Sequence, residues 1–72
     1  MFKTINEKFG QRIKELRKEH DWTQEELGFK AGLDWRYVGD IERGESSPTL
    51  ETIKKLAKAF KISLAKLFSS FK

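Results

Sequence analysis

The chain has 72 residues, with 15 Lys and Arg against 11 Asp and Glu for a formal net charge of +4, and at that length residues 1–72 are read as one domain. Folding so short a chain removes only about 60% of its extended-chain surface from water, so the core is small and pairing with a second copy is one way to enlarge it. With no cysteine there is neither a disulfide framework nor a thiolate metal site, which excludes small secreted scaffolds and zinc fingers and points to a cytoplasmic setting.

No stretch approaches the ~20 apolar residues of a membrane span, and the start, MFKTINEKFG, lacks the apolar run of a signal peptide. Five glycines, one proline and few β-branched residues leave a multi-strand fold without its turns and strand formers, so an all-α fold is expected. At 38% hydrophobic and 36% charged, the chain is apolar enough to fold and polar enough to stay dissolved.

In chain order, Ile5, Phe9, Ile13 and Leu16 recur at helical spacing, with Lys8, Arg12, Lys14, Glu15 and Lys18 on the other faces; this is an amphipathic helix. Thr4 with Glu7 forms a capping box at its start, and the run Glu19-His20-Asp21 ends it. Trp22 is an apolar anchor ahead of a second capping box, Thr23 with Glu26, where a second helix begins. That helix is short, because Gly32 occupies the position of a left-handed stop, and Asp34 caps a third helix running to about Arg43, before Gly44.

After Gly44, Glu45-Ser46-Ser47-Pro48 reads as a loop, and Thr49 caps a fourth helix with the apolar stripe Leu50, Ile53, Leu56, Ala57 and Phe60. Ile62 falls on the wrong face for this helix to continue, and Ser63 is a good cap, so a fifth helix starts there. Trp22, Leu50, Phe60 and Ile62 are among the residues expected in the core.

Residues 23–43 have a particular construction: two helices joined by a tight turn, with Leu27, Ala31, Leu33, Val38 and Ile41 as a shared inner surface and Gly28 where the helices approach. A helix-turn-helix is built this way. The pieces FGQRIKELRKE, WTQEEL, KAGL, YVGDIERGE, SPTLETIKKLAKAF and ISLAKLF resemble, in order and spacing, the Cro and cI repressor-like (Xre-type) helix-turn-helix family over roughly residues 8–68. The phrases KFGQRIKELR and LDWRYVGDIERG further resemble the controller proteins of restriction-modification genes. The resemblance implies a compact five-helix, lambda-repressor-like domain. It also implies a transcriptional regulator that binds double-stranded DNA sequence-specifically, typically as a homodimer on a palindromic operator, with the helix at 34–43 in the major groove.

Under that resemblance the first turn of the third helix supplies the base contacts. Arg36 is the leading candidate, because a guanidinium matches the O6 and N7 acceptors of guanine; the alternative is a surface arginine paired with Asp34 or Asp40. Trp35 is placed either to meet a thymine methyl or the sugar-phosphate backbone, or to cover the turn as packing. Tyr37 has a hydroxyl for a phosphate or base edge and a ring for the domain surface. Asp40 repels phosphate and accepts only a donor such as cytosine N4; alternatively it is a surface acid that orients Arg36. Gly39 costs its helix ~1 kcal/mol relative to alanine, for close approach to the bases or by simple tolerance.

Phosphate contacts are expected from Thr23 and Gln24, at a helix N-terminus whose free amides and dipole favour an anion, and from Arg43 at the far end of the third helix, the alternative for Arg43 being a C-terminal cation that complements the helix dipole. Arg17 and Glu42 match positions that form a partly buried ion pair in related repressors, a structural role. His20, the only histidine, is a cation near a helix C-terminus, and no metal, cofactor, small-molecule substrate or enzymatic activity is expected.

Charge is unevenly spread. Residues 1–18 hold six bases and two acids, 19–52 three bases and nine acids, and 53–72 six bases and no acid, so the motif itself is acidic. DNA binding then requires Arg36 and Arg43 to face the duplex while the acids turn away, with flanking lysines attracting at long range. Leu64, Leu67, Phe68 and Phe71 exceed what so small a domain buries; Leu64 and Leu67 are expected to cap the core, leaving Phe68 and Phe71 as candidates for the homodimer interface, the alternative being a disordered tail. A competing reading is a protein-protein interaction module on the same scaffold. A membrane-surface helix over 50–72 is disfavoured by Ile62 on its polar side.

Overall fold

In the computed structural model, which describes residues 3–69 and 71, five helices succeed one another: α1 (Ile5–Glu19), α2 (Gln24–Ala31), α3 (Trp35–Glu42), α4 (Leu50–Phe60) and α5 (Leu64–Leu67). Each begins on a side-chain cap. Thr4, Thr23, Thr49 and Ser63 accept from the backbone N–H three residues on, and Asp34 from Arg36 N–H; each satisfies a donor that the first turn leaves without a carbonyl. Both expected capping boxes form, with Glu7 and Glu26 returning the bond to the backbone of Thr4 and Thr23 at 2.9 Å.

The first four helices also end alike. Asp21, Gly32, Gly44 and Lys61 each take a left-handed conformation, with φ of 58°, 70°, 76° and 57°. The next residue then donates back five positions: Trp22 to Arg17, Leu33 to Gly28, Glu45 to Asp40 and Ile62 to Ala57, at 2.8–3.1 Å. This closure occupies carbonyls left open at the helix end, and at three of the four turns the following side chain, Trp22, Leu33 or Ile62, packs against the core, while Glu45 stays exposed. It accounts for Ile62, out of phase with α4 yet packed against the core once Lys61 reverses the chain.

α3 lies centrally, packed on α1 and α2, while α4 packs on α2 and carries α5. Ile13, Leu27, Val38, Ile41, Leu56 and Leu67 are the largest side chains wholly withdrawn from solvent. Gly10 makes the α1–α3 contact possible, since a Cβ there would stand 2.7 Å from the Glu42 carbonyl oxygen, closer than real carbon atoms approach. Gly28 does the same for the turn, with Leu33 O at 2.7 Å.

Several expected placements are corrected. Leu50 is 85% exposed: six residues before Leu56 lies about 120° around the helix from it, off the buried stripe. Thr52 takes that buried place, its hydroxyl accepting from Thr49 at 3.1 Å. Ile5, in the first turn of α1, is also exposed. Trp22 is half-buried, stacked on Phe60 at 5.6 Å. Of the two leucines expected to cap the core, only Leu67 does; Leu64 is 48% exposed. Arg12, assigned to a solvated face, reaches the C-terminal end of α5, donating to the carbonyls of Leu67 and Lys66 at 3.0 and 3.1 Å.

Candidate nucleic-acid interface

The geometry of the candidate site follows from how α3 is anchored. Val38 and Ile41 are fully buried, while the cap Asp34 and the first helical residues Trp35 and Arg36 face solvent, with Trp35 49% exposed and Arg36 about 160° around the helix from Val38. Tyr37 is half-buried against the core, in keeping with a ring on the domain surface. The first turn of α3 is therefore an outward ledge resting on a buried inner face.

Arg36 is held on that ledge by the residue that caps its helix. Asp34 Oδ1 accepts from Arg36 N–H at 2.8 Å and from Nε at 3.1 Å, and Oδ2 accepts from Nη2 at 3.0 Å. These bonds hold the Asp34 carboxyl below its ordinary range and raise the Arg36 guanidinium, the side-chain pairing being the leading cause for each. Of the two partners considered for Arg36, the structure gives Asp34. Asp40 pairs instead with Arg43 Nη2 at 2.6 Å, while Arg43 Nε donates to Glu45 at 2.9 Å. The Glu45 bond is the chief reason that the Arg43 guanidinium is raised.

Gln24, from the start of α2, joins the far end of α3. Its Nε2 donates to Glu42 Oε1 at 3.0 Å, and its amide lies over Gly39 beside the Arg43 guanidinium. A Cβ on Gly39 would meet Arg43 Nη1 at 3.1 Å and Gln24 Oε1 at 3.5 Å. The missing side chain of Gly39 is room for Gln24 and Arg43. Two of the three expected phosphate contacts, Gln24 and Arg43, thus share one shelf. Thr23 is exposed at the head of α2 but engaged in its capping box.

Behind the shelf Arg17 and Glu42 form the expected ion pair, with Nε–Oε2 at 2.7 Å and Nη2–Oε1 at 3.1 Å. Arg17 Nη1 donates to the Trp22 carbonyl at 2.7 Å. The pair is well withdrawn from water, with side-chain exposures of 12% and 3%, and the Glu42 bond raises the Arg17 guanidinium. Lys14, Lys18 and Arg43 line one groove between α1 and the end of α3, together with Glu7, Glu15 and Glu42, so the surface beside the motif is mixed in charge.

The remaining candidates lie apart. Phe68 and Phe71 are half-buried: Phe68 stacks on Phe9 at 5.6 Å and Phe71 meets Phe68 edge-on at 5.2 Å. His20 Nδ1–H donates to the Leu16 carbonyl, 2.9 Å away, and the ring packs on Trp22 at 4.4 Å. No group of side chains among the described residues has the make-up of a metal centre.

Comparison with known proteins places this geometry. A family model described as Helix-turn-helix matches residues 13–67. The chain is similar to the immunity repressor protein of Bacillus phage phi105, 45% identical over 56 residues that cover 78% of this chain and 39% of the repressor. It is also similar to the control protein C.MunI of Mycoplasma sp, 36% identical over 66 residues, 90% of this chain and 89% of that one. Among solved structures, the restriction-modification controller protein C.AhdI from Aeromonas hydrophila superposes with a TM-score of 0.84 at 48% identity, over 88% of this chain and 96% of that one. The chain spans less than two thirds of the length of several curated relatives it matches.

Proposed function

The chain belongs to the helix-turn-helix family, whose matched members include phage repressors and restriction-modification control proteins, and from that membership we propose that it is a transcriptional regulator binding double-stranded DNA sequence-specifically. The observation that carries this reading is the ledge on α3: a fully buried inner face at Val38 and Ile41 supports an exposed Asp34-Trp35-Arg36 turn at a helix narrow enough for the major groove. In this reading Arg36 reads guanine, Trp35, Tyr37 and Asp40 contribute further base contacts, and Thr23, Gln24 and Arg43 fix the register through phosphates.

The protein acts as a homodimer on a palindromic site. A second copy contacts the face of α5, where the half-buried Phe68 and Phe71 are continued by exposed Leu64. Selection of bound duplexes from a random pool tests this directly. A recovered palindrome with half-sites about one helical turn apart is expected, bound with an affinity that falls steeply as salt rises. On that operator, Arg36→Ala relaxes preference at one base pair per half-site, and Gln24→Ala weakens all duplexes about equally. Failure to enrich any duplex, together with docking of a protein partner instead, would establish the interaction-module reading.

A further inference from the structure

Arg36 does not meet its target as a free side chain. Its guanidinium offers two hydrogen-bonding edges: the side made by Nε and one hydrogen of Nη2, and the end made by Nη1 and the other hydrogen of Nη2. Asp34 occupies the side edge, with bonds of 3.1 and 3.0 Å to its two carboxylate oxygens. The end edge points away from that carboxylate, and Nη1 has no acceptor among the described residues. Two parallel donors are what the O6 and N7 acceptors of guanine require.

We propose that Asp34 is a specificity-determining positioning residue, which aims the end edge of Arg36 at a guanine and disfavours every less exact partner. The inference rests on the reading of Arg36 as a base contact. A long arginine loses rotamer freedom when it binds, and a side chain already held by Asp34 has lost much of it beforehand. The carboxylate adds a second effect. It stands beside the DNA-facing turn and repels phosphate, so it lowers affinity for every sequence, and only a register that lets Arg36 complete its two bonds recovers the loss. Asp34 thereby has two jobs, since its Oδ1 also caps α3 through Arg36 N–H at 2.8 Å.

The jobs separate by substitution. Serine caps a helix about as well as aspartate but cannot hold a guanidinium on two oxygens and carries no charge. Binding is measured on the selected operator and on its single-base variants, for the wild type, Asp34→Ser, Arg36→Ala and the double variant, with melting temperature followed in parallel. Asp34→Ser is expected to melt near the wild type, to bind random duplex more tightly, and to lose roughly tenfold in discrimination at the base pair read by Arg36, with other positions unaffected. In the Arg36→Ala background it changes that discrimination no further. A merely structural role predicts the opposite for random duplex, weaker binding along with a lower melting temperature. If Arg36→Ala abolishes the preference while Asp34→Ser keeps it, the positioning role is overturned and the base-reading role stands. If Arg36→Ala keeps the preference, both fall together.

Discussion

Arg17 and Glu42 are joined across 25 residues of sequence by two parallel hydrogen bonds of 2.7 and 3.1 Å, in a site where the carboxylate is only 3% exposed. Glu42 Oε1 also receives Gln24, so one carboxylate fastens α1, α2 and the end of α3. Removing a single partner strands a buried charge. Glu42→Ala is expected to destabilise the fold by about 3 kcal/mol or more, seen as a fall in Tm of roughly 10 °C or more. Replacing both residues with apolar side chains of similar volume costs much less. A Tm unchanged by Glu42→Ala would refute the link.

Gly10 tests how tightly α1 and α3 are pressed together. A methyl at this position meets main-chain carbonyls of Ile41 and Glu42, not a side chain that could swing aside. Gly10→Ala is therefore expected to cost about 1–3 kcal/mol in urea unfolding despite alanine's better helix propensity. A stabilised variant would mean that the helices lie further apart than described.

Gly39 gives the reverse result. The nearest obstacle to its Cβ is the flexible end of Arg43, which moves at little cost. Gly39→Ala is expected to raise stability by about 1 kcal/mol through helix propensity while pushing Arg43 and Gln24 off their shelf. Affinity then falls by a similar factor for every duplex, with base preference intact, as anisotropy titrations on matched and mismatched sites would reveal.

Acid weakens the start of α1. Hydrogen bonding to the Thr4 backbone N–H holds the Glu7 carboxyl below its ordinary value of 4.5. A carboxyl depressed in the folded state contributes stability that is present above its unfolded value and lost as pH falls through the folded one. Glu7→Gln keeps the capping box but does not titrate. Wild type and variant should therefore differ in Tm more at pH 6 than at pH 3, and parallel curves over that range would exclude the effect.

Much of this architecture is legible in the sequence because helix ends are written locally. Thr4, Thr23, Asp34, Thr49 and Ser63 are recognisable caps, and Gly32 and Gly44 are recognisable stops. Asp21 and Lys61 adopt the same left-handed stop without glycine, so only the helix start that follows betrays them. Leu50 was misplaced because an apolar residue at the head of a helix matches a stripe by type before it matches by angle. At the candidate site, residue types nominate Arg36, Gln24 and Arg43 as contacts, but their partners within the protein depend on rotamers and on spacing across helices. The Gln24–Glu42 bond, the occupants of the room above Gly39 and the reach of Arg12 to α5 have no signature in one dimension. Gly10, Gly28 and Gly39, in mid-helix where alanine is favoured, do mark close approaches in the sequence, without saying what occupies the space.

Four of the five helix starts use hydroxyl caps, and only α3 uses a carboxylate that also grips a neighbouring arginine. Under the proposed reading, substitutions at positions 35, 36 and 40 change the operator while the scaffold beneath stays in register. Position 34 is where that freedom narrows: replacing its aspartate keeps the helix only with another capping residue and releases the Arg36 side chain.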